Sequence, residues 1–226
     1  MKKIMSATIF VVMIISNVFI FSGCGKSNID NISKNILEPN AVNSVSTEGQ
    51  LPDGMVDIKD KNSYYFIING QKFTTENQLK DIEKAGFVQD NNSAQAEVQK
   101  NTFYIGGGYF RDSGTGRTVF SVVPVNNSAD SIMCADANIG GFNVDNYYYK
   151  DYDGKIEVAG GISIGSTVDE LVSSYGDPTE KDMRANYDNL GILYKYKVGI
   201  YQYFEFEIDK SDKKITQITW RYFENS

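Results

Sequence analysis

Ile162-Ser163-Ile164-Gly165-Ser166-Thr167-Val168-Asp169-Glu170-Leu171-Val172-Ser173-Ser174-Tyr175-Gly176-Asp177-Pro178 carries the densest local signals in the chain. Ile162 to Gly165 reads as a short strand closed by a glycine. Thr167 and Glu170 have the spacing of a capping box, in which the threonine hydroxyl and the glutamate carboxylate each satisfy a backbone N–H of the first helical turn. Val168, Leu171, Val172 and Tyr175 then recur at helical spacing, and Gly176 with Pro178 stops the helix. A helix this short, with one apolar stripe, needs an apolar surface to lie on.

The sequence that follows supplies such a surface. Ile192 to Val198, Tyr201 to Ile208 and Ile215 to Phe223 alternate apolar and polar residues and read as three strands of a meander. With the first turn centred near Gly199, odd positions face odd ones. One face then carries Ile192, Tyr194, Tyr196, Phe204, Phe206, Ile218 and Trp220 and is expected to pack on Leu171 and Tyr175. The other carries Lys195, Lys197, Tyr201, Tyr203, Glu205, Glu207, Gln217, Thr219 and Arg221. Lys195 or Lys197 falls near Glu205 and Tyr201 near Arg221, each pair contributing roughly 0.2 to 1 kcal/mol.

Upstream, the same order of elements recurs with little residue identity. Tyr64 to Ile68 reads as a strand turning at Asn69-Gly70, and Thr75-Glu76-Asn77-Gln78 as a capping box opening a helix to Ala85. Thr102 to Phe110, broken by three glycines, Thr118 to Val125 and Asn138 to Tyr149 read as strands. Two units of short helix plus β-meander are therefore expected, over residues 63–150 and 151–226.

These phrases, above all Gly161-Ile162-Ser163-Ile164-Gly165-Ser166-Thr167 with Glu170-Leu171 and Tyr175-Gly176-Asp177-Pro178, resemble the unit of the β-lactamase inhibitor protein and the small outer-membrane-assembly lipoprotein. The pattern covers residues 162–223 and, more loosely, 64–150. The resemblance implies an α+β fold of two repeated units, each a short helix or helical pair on one face of an antiparallel β-meander, with the other faces forming one concave surface. It implies shape more than activity, and none of that family's target-contacting residues can be matched here.

At the amino terminus, Lys2 and Lys3 precede an apolar run from Ile4 to Phe21 and then Ser22-Gly23-Cys24, the layout of a secretory signal. The small pair followed by cysteine resembles the lipobox of bacterial lipoproteins, with Phe21 where leucine is usual. That resemblance implies cleavage after residue 23 and lipid on Cys24, holding the protein on the extracytoplasmic face of the cell membrane. Residues 24–62 are polar and read as a tether spanning roughly 30 to 40 Å.

The 22 basic residues, less Lys2 and Lys3 in the signal, against 29 acidic ones leave the exported part at a net −9. Nucleic acid and anionic lipid are poor partners for such a body. The chain has no histidine, so mechanisms that need an imidazole are closed to it, and Cys134 lacks an intramolecular disulfide partner. No cofactor or metal site is indicated. Asp151-Tyr152-Asp153-Gly154 opens like a calcium loop but lacks the closing glutamate and reads as a hairpin turn. Gly106-Gly107-Gly108 lacks the lysine and hydroxyl sequel of a phosphate loop.

The expectation is a non-enzymatic binding module. Tyr201, Tyr203 and Arg221 are its candidate partner-binding residues, because Tyr and Arg anchor interfaces more often than other side chains. Tyr147 and Tyr149 belong to a tyrosine cluster with Tyr148 and Tyr152 between the two units, which either lines a groove or is a strand with two tyrosines on its core side. Two alternatives stand beside it: a cell-wall hydrolase using Glu205 and Glu207, and a structural scaffold of an envelope complex.

Overall fold

A computed structural model describes residues 51–185 and 190–224. The signal segment 1–23, Cys24 and the tether up to residue 50 lie outside the described residues.

In chain order the strands and helices are β1 (Tyr65–Ile68), β2 (Gln71–Thr74), β3 (Phe87–Gln89), α1 (Asn91–Ala94), β4 (Glu97–Val98), β5 (Thr102–Phe103), β6 (Tyr109–Asp112), β7 (Thr118–Asn126), β8 (Ile132–Met133) and β9 (Asn138–Asp145). They continue with α2 (Asn146–Tyr149), β10 (Ile156–Val158), α3 (Val168–Tyr175), β11 (Glu180–Ala185), β12 (Leu190–Gly199), β13 (Gln202–Asp209) and β14 (Ile215–Tyr222).

Strands dominate, and this corrects the expected fold class. A nine-stranded antiparallel sheet runs β11-β12-β13-β14-β9-β7-β6-β3, with β5 paired to β7. The sheet is continuous across the expected boundary, because β14 pairs with β9 from Gln217 opposite Asp145 to Arg221 opposite Gly141. Instead of two helix-on-meander units of α+β type, there is one large sheet backed mainly by more sheet. The backing layer is β10-β1-β2, in which Phe66 of the first half lies opposite Val158 of the second. The physical reason lies in the helical segments, which are too short to cover so wide an apolar surface.

Aromatic side chains fill the space between the layers. Phe66 stacks on Phe142 at 4.5 Å and on Phe73 at 5.3 Å, and Tyr64 stacks on Phe204 at 4.7 Å. Helix α3 adds Tyr175, whose ring lies 5.1 Å from Phe206 and 5.3 Å from Phe204. The Tyr175 hydroxyl donates to the Ala159 carbonyl at 2.8 Å, so this buried phenol is satisfied. The face expected to be apolar is so, with Tyr196, Phe204, Phe206, Ile218 and Trp220 fully buried.

Several local expectations give way to tertiary pairing. The helix expected from Thr75 to Ala85 shrinks to a 3-10 segment over Leu79–Ala85. The backbone before it is engaged elsewhere: Ile139 N–H donates to Asn77 O and Leu79 N–H to Ala137 O, both at 3.0 Å. Ile162 to Gly165 makes only an isolated bridge, Ile162 to Val158, and β10 takes the strand role. The run from Asn138 divides at Asp145, whose carboxylate accepts from Tyr148 N–H at 3.0 Å and starts α2. The folded unit also begins before the apolar run at Tyr64, since Val56 N–H donates to Ser174 O at 2.8 Å and the Tyr64 hydroxyl to Ile58 O at 2.8 Å.

Candidate ligand-binding face

Alternation along each strand sends every second side chain away from the backing layer. Across the sheet, Glu180, Lys195, Glu205, Thr219, Asn143, Ser121 and Tyr109 are successive cross-strand partners and form a polar row on this outer face. Lys195 Nζ donates to Glu205 Oε1 at 2.6 Å and lies 4.7 Å above the Tyr203 ring. Asn143 Nδ2 donates to Thr219 Oγ1 at 2.7 Å. Charges here are paired and hydrogen-bonded, as a half-buried polar row requires.

The neighbouring row is Lys197, Tyr203, Arg221, Gly141 and Val123. Arg221 Nη1 donates to the carbonyls of Phe142 at 3.1 Å and Trp220 at 2.8 Å. Glycine at 141 makes this possible, since a Cβ there would sit 2.6 Å from Arg221 Cδ. Burial pulls the guanidinium below its ordinary value, while Tyr203 and Glu205 oppose that shift. A guanidinium held this way is a fixed cation on the face.

Tyr203 and Arg221, expected on one face, are direct cross-strand partners. Tyr201 lies just outside β13. The β12–β13 pairing shifts between Lys197 and Gly199, so Lys197 faces Tyr203 where Tyr201 was expected. Released from that pairing, Tyr201 packs on Phe103 at 5.1 Å and Phe223 at 5.5 Å, and those two rings stack at 4.4 Å within 5° of parallel. Phe103 arrives through β5, opposite Val125 of β7. Tyr201 and Phe223 are linked by Phe223 N–H donating to Tyr201 O at 3.1 Å.

These rings border an open cleft of about 580 Å³, whose remaining lining includes Asn101, Thr102, Asn127 and Glu224. Sequence reasoning missed Phe103 and Phe223. Phe223 had a legible signal, since it shares the odd parity of Arg221; Phe103, two residues of strand borrowed by a distant partner, had none.

Tyr147 and Tyr149 do not join this cleft. They lie on α2, one helical turn that sends successive side chains in different directions. Tyr147 is 73% exposed, whereas Tyr149 is half-buried with its hydroxyl donating to Gly154 O at 3.0 Å. Tyr148, between them, lines a smaller recess of about 180 Å³ with Tyr109, Asn143 and Asp145.

The remaining chemistry-bearing groups are occupied. Glu205 is paired with Lys195, and Glu207 is buried with its carboxylate over Gly191. Asp151 pairs with Arg117. Cys134 is fully buried, accepts from Gln89 Nε2 at 3.3 Å, and has its thiol pushed up by burial, which disfavours the reactive thiolate. No family model, curated protein or solved structure matches this chain.

Proposed function

We propose that the protein is a lipid-anchored, extracytoplasmic, non-enzymatic binding module that takes an envelope ligand on the outer face of its large sheet. The observation that carries this reading is the position of the Tyr201, Phe103 and Phe223 cluster. These three rings sit on the face turned away from the backing layer and border an open cleft, and the backbone-anchored Arg221 precedes Phe223 by two residues in the chain. Aromatic and arginine side chains held rigidly lose little conformational entropy on binding, which is why they anchor interfaces. Tyr201, which lines the cleft, is itself 36% exposed, so a partner seated there would bury apolar surface favourably. Anchoring rests on the signal-like segment ending at Cys24.

Affinity capture from envelope fractions with the tagged full chain tests the reading. Material retained by the wild type and lost by a folded Tyr201→Ala, Tyr203→Ala double variant is the expected result. Equal recovery by both proteins would remove the face from consideration. For the anchor, Cys24→Ser is expected to abolish incorporation of labelled fatty acid and release the protein from the membrane.

A further inference from the structure

We infer that the cleft bordered by Tyr201, Phe103 and Phe223 is a binding site for a neutral oligosaccharide; the inference rests on the reading of the outer face as a binding surface. The side chains around the cleft divide into two chemistries. The apolar part is the three-ring cluster with Val125, in which Phe223 is buried while Phe103 and Tyr201 stay partly accessible. The polar part includes Asn101 and Asn127, which are exposed, and neither amide makes a side-chain hydrogen bond among the described residues. Each amide offers two donors and an acceptor.

A pyranose ring matches that division. Its axial C–H bonds make a weakly positive apolar face suited to the negative face of an aromatic ring. Its rim of hydroxyl groups needs paired donors and acceptors of the kind an amide supplies. The volume of about 580 Å³ lies within the ~300–1,000 Å³ usual for small-ligand clefts, and the cleft is open, as a chain-like ligand entering and leaving requires.

Charge selects against anionic ligands. The lining contains one carboxylate, Glu224, which accepts from the Tyr222 hydroxyl at 3.1 Å, and no cationic side chain among the described residues. With the exported part at net −9, an anionic polymer is repelled. Arg221, the nearest fixed cation on the same strand, spends Nη1 on two backbone carbonyls.

The test titrates the full chain, held in a detergent without a sugar headgroup, with N-acetylglucosamine tetramer and with cellotetraose, followed by saturation-transfer NMR. Binding of at least one tetramer at or below millimolar concentration is expected, weakened about tenfold or more by Tyr201→Ala and unchanged by Val88→Thr on the remote edge strand. Retention of dispersed amide spectra by each variant separates lost contact from lost fold. Binding that is indifferent to Tyr201→Ala overturns the placement of the site. Failure of both tetramers to bind, while envelope capture stays dependent on Tyr201 and Tyr203, overturns the saccharide inference and leaves the binding-module reading standing. Failure of both experiments removes both.

Discussion

Gly140 shows how a single residue without a side chain can shape the candidate site. A Cβ at this position would lie 2.4 Å from Phe223 Cε1 and 2.9 Å from Val125 Cβ, so even a methyl group must displace the ring cluster. Gly140→Ala is expected to destabilise the protein by about 1–3 kcal/mol. At about 2–4 °C per kcal/mol for a domain of this size, thermal unfolding followed by circular dichroism would show a clear fall in melting temperature. An unchanged melting temperature would mean that Phe223 does not occupy the space over Gly140. In the sequence, the pair Gly140-Gly141 reads only as a weak point in a strand. Its use, making room for Phe223 and Arg221, depends on side chains some 80 residues away in the sequence. Parity, in contrast, was legible: Tyr203 and Arg221 share a face because a strand repeats every two residues, and a register shift of two residues leaves that face unchanged.

Among the elements, α3 and the segment before β3 began from similar sequence signals and ended differently. Thr167 N–H donates to Glu170 Oε2 at 2.7 Å, and Glu170 N–H to Thr167 Oγ1 at 3.2 Å, completing the expected capping box. Thr167→Ala is expected to cost about 0.5–2 kcal/mol. The Thr167 backbone N–H, and then its hydroxyl, hold the Glu170 carboxyl below its usual range. A carboxyl whose value is lower in the folded state stabilises at neutral pH, and that contribution is lost as pH falls through the ordinary carboxylate range towards the depressed value. The melting-temperature gap between wild type and Glu170→Gln should therefore be present at pH 7 and close in acid. A gap independent of pH would show that the carboxylate does not cap the helix. At Thr75 the comparable signal failed because Asn77 and Leu79 give their backbone groups to the start of β9 and the turn before it. Capping residues state what a segment can do, and the partners available decide whether it does so.

At the scale of the whole molecule, two strand pairings join the halves, β9 with β14 in the large sheet and β1 with β10 in the backing layer. Neither half can bury its apolar strands alone. Fragments 51–150 and 151–226 are each expected to lack dispersed amide NMR spectra when made separately, and a well-dispersed spectrum from either would contradict the single shared core. In the intact chain, the one tryptophan, Trp220, is fully buried and packs within 6.4 Å of Phe142 in the other half. Its fluorescence and the far-ultraviolet dichroism should therefore report one coincident transition in denaturant.

The sequence by itself determined the C-terminal meander, its inner and outer faces, the capped helix over 168–175 and the acidic, histidine-free character of the chain. Each follows from periodicity or composition within a short window, where covalent spacing dictates geometry. Only the tertiary structure decided that the meanders join at β9 and β14, that β5 carries Phe103 to Tyr201, and that polar Glu180–Ala185 becomes an edge strand. Those outcomes depend on which apolar surfaces and unpaired backbone groups meet across long separations, and short-range pattern carries no record of that choice.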